Sequence, residues 1–178
     1  KLALATLPVV IIGVLGKDFI QGQLRTVPVI ATTTMLFGAA LWYADRRPTS
    51  NSAITWQAAG LIGLAQAIAL IPGTSRSGIT ITAALLLGLS RVEAARFSFL
   101  LAIPTIAGAQ LLLSLDLAEG GVETDLAKVA AGAALAGVSA YLGIHYFIQL
   151  VERTGMLPYV VYRMVLGLVL FGLVYAGI

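Results

Sequence analysis

The chain has 178 residues, of which 59% are hydrophobic and only 11% charged. A soluble domain carries roughly 25% charged residues, so that class is excluded. The net charge of +3 comes from basic residues in short breaks between apolar runs, which suits membrane orientation better than a nucleic-acid surface. With no cysteine there are no disulfides, thiolate nucleophiles or cysteine metal sites.

Taken in chain order, the first apolar run is Leu2 to about Leu15, short for a span, as in a helix cut from something longer. The second, Val27 to Ala44, closes at Asp45-Arg46-Arg47-Pro48. A third starts near Ala53 and stops at Pro72. After the polar break Gly73-Thr74-Ser75-Arg76-Ser77-Gly78 comes a run of about a dozen residues, Ile79 to Leu89. Ser90 and Glu93 have capping-box spacing, so a new helix starts there and carries the run Phe97 to Leu115. An acidic loop, Asp116 to Asp125, turns at Gly120-Gly121. The last spans are Leu126 to Val151 and Met156 to Ile178, joined by Glu152-Arg153-Thr154-Gly155.

Lipid does not tolerate irregular backbone unless protein or water surrounds it, and Ile79–Leu89 is too short to cross. The economical reading is a re-entrant helix hairpin over residues 53–89. The expected fold is therefore an all-α integral membrane protein, one membrane domain over 1–178, with about five transmembrane helices plus this hairpin. That topology puts the breaks 45–52 and 90–96 and Arg153 on one side. The acidic loop 116–125 falls opposite, with four acidic and no basic residues, so the arginine-rich side is expected in the cytoplasm. Lys17 and Arg25 in the loop 17–26 run against that contrast.

An arginine among hydroxyls and glycines between apolar helices costs about 2.5 kcal/mol or more to insert, so such a residue usually faces a cavity and has a task. Pro72 cannot continue the incoming helix, and Gly73 permits a sharp backbone. Arg76 offers a planar fork of donors suited to phosphate oxygens. Ser75, Ser77 and Thr80 add hydroxyls, and free N–H groups around Ser77 to Thr80 favour an anion. The bland reading is that Arg76 snorkels to an interface while the hydroxyls cap helices; it leaves the whole constellation without a purpose. The spacing is not that of a Walker loop.

Elsewhere the bland reading is preferred. His145, the single histidine, reads as helix packing, with Glu152 two turns away as its nearest acidic candidate. Gln110 and Gln66 suit interhelical hydrogen bonds, although Gln66 lies on the hairpin and is retained as a candidate for the cavity. Arg163 is read as snorkelling or touching a lipid headgroup, and Glu93 as a cap. Small-residue runs such as Ala130-Ala131-Gly132-Ala133-Ala134 serve close packing.

Pro72 through Thr80 match the signature P-G-x-S-R-S-G-x-T at every fixed position, and here the sequence resembles the bacterial undecaprenyl-diphosphate phosphatases associated with bacitracin resistance. The resemblance continues in Gly88-Leu89-Ser90-Arg91, in Phe97 through Pro104 and in Leu157 through Arg163. It implies an inverted-repeat membrane enzyme of the bacterial inner membrane with two hairpins meeting in a cavity. Its substrate would be the polyprenyl diphosphate lipid undecaprenyl diphosphate, hydrolysed to the monophosphate that carries cell-wall precursors. It also implies a divalent cation, Mg or Ca, and is compatible with a homodimer. Candidate catalytic residues are Arg76, Ser75 and Thr80; Gly73, Thr74, Ser77, Gly78 and Gln66 are candidate substrate contacts, and no metal ligand is assigned.

The family's other signature, E-G-x-T-E-F-L-P-V-S-S-T-G-H, matches nothing here. To it belong the glutamates, hydroxyl and histidine given acid–base, nucleophile and metal roles. The expectation is a fragment holding half of the repeat, or else a short homologue without catalysis; either way the chain by itself should not hydrolyse diphosphate. The competing function is an anionic-lipid transporter or flippase, which uses the same broken-helix anion site. A membrane-spanning acid phosphatase of the soluble type is rejected, because no histidine comes closely after Ser75-Arg76 or Ser90-Arg91.

Overall fold

The computed structural model describes residues 1–16, 20, 22, 24–49, 53–119 and 125–177. All regular structure among them is helical: α1 (Leu2–Leu15), α2 (Val27–Asp45), α3 (Trp56–Ala67), α4 (Arg76–Leu86), α5 (Arg91–Glu119), α6 (Leu126–Thr154) and α7 (Leu157–Tyr175). A 3₁₀ turn, Ile68–Leu70, extends α3.

Four of these, α2, α5, α6 and α7, are long and apolar enough to cross a membrane. The chain is thus a multi-pass all-α membrane protein. With 14 residues, α1 falls short of a span, and so does α3 with its 3₁₀ turn. Large apolar side chains on α6, such as Leu135 and Val138, are exposed, as suits a lipid-facing helix.

The helix starts reflect local chemistry. Thr55 caps α3 by accepting the Ala58 N–H at 3.0 Å, and Asp125 caps α6 through the N–H groups of Ala127 and Lys128. Pro28 and Pro158 occupy the first turns of α2 and α7, where no N–H is needed. The capping box at α5 forms: the Ser90 N–H and hydroxyl reach Glu93 Oε2 at 3.3 and 3.0 Å, and the Glu93 N–H returns to Ser90 Oγ at 3.3 Å. Past Leu115, α5 continues to Glu119, so the first part of the expected acidic loop is helical. The Gly120-Gly121 turn and Lys17 lie outside the described residues.

The tightest partnership is α2 with α7, and α1 packs along α3. Gly63 makes the second contact: a Cβ there would collide with the Ala5 backbone. Between these pairs sits α4, touching α2, α3 and α5, with Ile81, Ala84 and Leu85 buried in the core beside Leu41, Ile62, Leu89 and Leu101. Being 11 residues long, α4 extends only about 16 Å, half a bilayer core.

Asp45 ties the arginine-rich breaks to one end. Its carboxylate accepts from Arg91 Nε at 2.6 Å and Nη2 at 3.1 Å, and from the Met156 N–H at 3.2 Å. The end of α2, the start of α5 and the α6–α7 turn are therefore neighbours. At that turn Gly155 has φ +70°, and a Cβ would press on the Arg91 guanidinium and the Asp45 carboxylate.

Candidate functional site

The loop between the 3₁₀ turn and α4 is pinned by its carbonyls. Thr33 Oγ1 on α2 lies 2.6 Å from the Pro72 carbonyl, the nearest of the three carbonyls it can reach. Thr34 Oγ1 donates to the Gly73 carbonyl at 3.2 Å. From α7, Arg163 Nη2 donates to the carbonyls of Gly73 at 2.9 Å and Thr74 at 3.0 Å, while its Nε reaches the Thr34 carbonyl at 3.2 Å. Gly73, at φ +87°, has no room for a Cβ, which would strike the Thr33 hydroxyl and the Ile30 carbonyl.

Arg163 does not snorkel. It is 4% exposed and has no carboxylate partner among the described residues, so its charge is balanced by carbonyl dipoles alone. Donation from a charged group is worth about 1.5–3 kcal/mol per bond, which makes the arginine a firm strut for the loop. The sequence signal for it was an ionisable residue inside a span. That signal fits a snorkelling side chain equally well, so α2 and the loop had to be seen together.

Ser75 comes next as the N-cap of α4, with φ +66° and ψ 113°. It is the one non-glycine residue among those described with positive φ, a conformation costing about 1–3 kcal/mol that persists only when the surroundings over-determine it. Its Oγ accepts the Gly78 N–H at 3.2 Å and shares a 2.8 Å hydrogen bond with Tyr159 Oη of α7. Its carbonyl accepts the Ile79 N–H. Serine at this cap starts the helix at Arg76 rather than Ile79, so Arg76 and Ser77 form the first turn and are not part of a loop. The free N–H groups accordingly shift from the expected 77–80 to Arg76 and Ser77, which have no partner among the described residues.

Arg76 is half-buried. Its Nη1 is buried with no hydrogen-bond partner, and Thr74 Oγ1, on a residue with no exposure, is likewise unpartnered. No carboxylate pairs with Arg76 among the described residues. Gly78 keeps the space close: a Cβ there would sit 3.2 Å from Ser75 Oγ and 3.7 Å from Arg163 Nη1. Thr74, Ser75, Arg76, Ser77, Gly78 and Arg163 thus converge on one short stretch of backbone. The Arg76 guanidinium, two free amides and the unsatisfied Thr74 hydroxyl are donors of the kind that hold an anion, with Arg163 committed to the loop carbonyls.

Two of the expected residues have their polar groups engaged by protein. Thr80 is 1% exposed, and its Oγ1 is within 2.9 Å of the Arg76 carbonyl and 2.7 Å of Ser98 Oγ, itself fully buried. Its hydroxyl is engaged between α4 and α5 and turned away from solvent. Gln66 is fully buried and joins helices: its Nε2 donates to the Ala5 carbonyl at 3.3 Å and its Oε1 accepts from Thr105 Oγ1 at 3.4 Å. Expected to touch substrate because of its place on the anticipated hairpin, Gln66 has both ends of its amide occupied by protein. His145 contacts Gln149 at 2.9 Å and stacks near Tyr141, with no carboxylate partner among the described residues. Among the described residues no three of His, Cys, Asp and Glu come together.

A family model described as "Bacitracin resistance protein BacA" matches residues 1–169. A protein of Alcanivorax borkumensis named "Undecaprenyl-diphosphatase" is 56% identical over 171 residues, which cover 94% of this chain and 64% of that relative. The chain therefore spans somewhat under two thirds of the length of the curated relative it matches.

Proposed function

This chain belongs to the bacitracin resistance protein BacA family, and from that premise we propose that it serves to hydrolyse undecaprenyl diphosphate to undecaprenyl phosphate and phosphate. The observation that carries the reading is the pair of buried, unpartnered polar atoms, Arg76 Nη1 and Thr74 Oγ1, at the start of α4. In a bilayer core such groups are costly unless a ligand meets them. A diphosphate supplies acceptor oxygens of matching charge.

In the reaction water attacks the terminal phosphorus, the phosphoanhydride P–O bond breaks, and the electron pair leaves on undecaprenyl phosphate. Phosphoryl transfer of this kind is mostly alignment and charge stabilisation. Arg76 clamps the phosphate oxygens, assisted by the amides of Arg76 and Ser77 and the Thr74 hydroxyl. Arg163 acts from behind, fixing the loop and adding positive potential near Gly78. The described residues bind and orient; a Mg or Ca ion, where bound, would add charge neutralisation. The proposed setting is the bacterial inner membrane, with the Asp45–Arg91 end at the cytoplasmic face and residues 53–89 re-entrant.

The experiment is phosphate release from undecaprenyl diphosphate by the full-length protein in proteoliposomes, compared with Arg76→Ala. Turnover should fall by roughly 10²–10³, the usual cost of losing one transition-state donor. Turnover within a few-fold of the parent would remove Arg76 from the clamp. Transbilayer movement of the lipid without phosphate release would favour the flippase reading instead.

A further inference from the structure

Two guanidinium groups are left over at the end of the molecule that Asp45 holds together. Asp45 is occupied by Arg91 and the Met156 N–H. Arg46 and Arg47 have no carboxylate partner among the described residues and lie instead over aromatic rings, Arg46 at 3.7 Å from the Trp42 centroid and Arg47 at 4.6 Å from that of Tyr43. With Arg91 they line a cavity of about 510 Å³ between the end of α2 and the start of α7, closed by Trp42, Leu157 and Val160. Three guanidinium groups against one carboxylate leave it with a charge of +2. The adjoining cavity shares Asp45, Arg47 and Arg91 with this one and adds Glu152, so over the two together the lining keeps a charge of +1.

We propose that this cavity holds the phosphodiester headgroup of an anionic phospholipid. Its size falls in the range of about 300–1,000 Å³ usual for small-ligand sites. Trp and Tyr, the residue types at 42 and 43, gather at headgroup depth, and basic pockets between spans take anionic headgroups. The third argument is what lies below. Leu157 is exposed, and Val161 and Val165 continue the same exposed side of α7 at helical spacing. A phosphate in the cavity would direct its acyl chains down that side, whereas a soluble anion would have no use for it. The site shares no lining residue with the Pro72–Gly78 loop and does not depend on the hydrolase reading.

The test is native mass spectrometry of the full-length protein released from micelles holding equal phosphatidylglycerol and phosphatidylcholine. Phosphatidylglycerol should be retained in preference by roughly tenfold, in keeping with two unpaired arginines at a membrane surface. Arg46→Gln with Arg47→Gln should remove most of that preference, Arg46→Lys with Arg47→Lys should keep it, and Arg153→Gln should leave it unchanged. Both arginines are exposed, so the variants are expected to fold, and a thermal melt checks that they do. Equal retention of the two lipids, or a preference untouched in the glutamine variant, overturns the proposal. Displacement of the bound lipid by millimolar inorganic phosphate also overturns it, by making this a free-anion site.

Discussion

Arg163 donates at 2.9 Å to the carbonyl of Gly73, across 90 positions of sequence, and so joins the last helix to the loop that opens α4. The same guanidinium holds the Thr74 and Thr34 carbonyls. Arg163→Met should therefore remove three hydrogen bonds and strand the Thr74 carbonyl, while the Gly73 carbonyl keeps Thr34 Oγ1, destabilising the protein by about 1–3 kcal/mol, the scale for leaving a buried acceptor unsatisfied. Thermal unfolding in detergent measures it. A melting temperature within a degree or two of the parent would show that the strut is dispensable.

Gly73→Ala meets two obstacles at once, a positive φ and a Cβ in collision with Thr33 and Ile30. The strain alone is about 1–3 kcal/mol. The loop should shift away from α2, lowering both stability and phosphate release. A fully active, equally stable Gly73→Ala protein would contradict the pinned geometry.

Tyr159 and Ser75 share one neutral hydrogen bond of 2.8 Å, while Ser75 also caps Gly78. Tyr159→Phe removes the first bond only and should cost about 0.5–1.5 kcal/mol. Ser75→Ala removes both and should cost more, by about another 1 kcal/mol for the lost cap. Equal losses in the two variants, read by chemical or thermal denaturation, would mean that the cap contributes nothing.

The Asp125 carboxyl is held below its ordinary pKa, first by the hydrogen bond from the Lys128 side chain and then by the N–H groups of Lys128 and Ala127. A depressed carboxyl stabilises the start of α6 at pH above its unfolded value, and that contribution fades as pH falls through the folded one. Hydrogen exchange at the Ala127 and Lys128 amides should therefore speed up on acidification beyond the change in intrinsic rate. Asp125→Asn, which also caps, should make their protection independent of pH; a persistent pH response in that variant would locate the titrating group elsewhere.

Much of the site could be read from residues 72–80 because its members are contiguous. Pro72 stops a helix, Gly73 takes a backbone that other residues reach only with strain, and Ser75 can cap the next helix. An arginine between apolar runs marks itself by its cost in lipid. The capping box at Ser90 and Glu93 was legible for the same reason, since both partners lie within one turn. The boundary of α4 was misplaced because hydropathy begins at Ile79, whereas the hydrogen bonds begin at the Ser75 cap.

Chain order by itself determined the class of the protein, its helical runs, the polar break and the arginine within it, all consequences of local hydropathy and backbone preference. Only the tertiary structure decided where side chains point. It drew Arg163 inward to the loop, turned Thr80 towards Ser98, engaged Gln66 between α1 and α5, and gathered three distant breaks around Asp45. The physical reason is that a buried polar group must find a partner, and in a folded chain that partner is chosen by proximity in space, on which sequence spacing is silent.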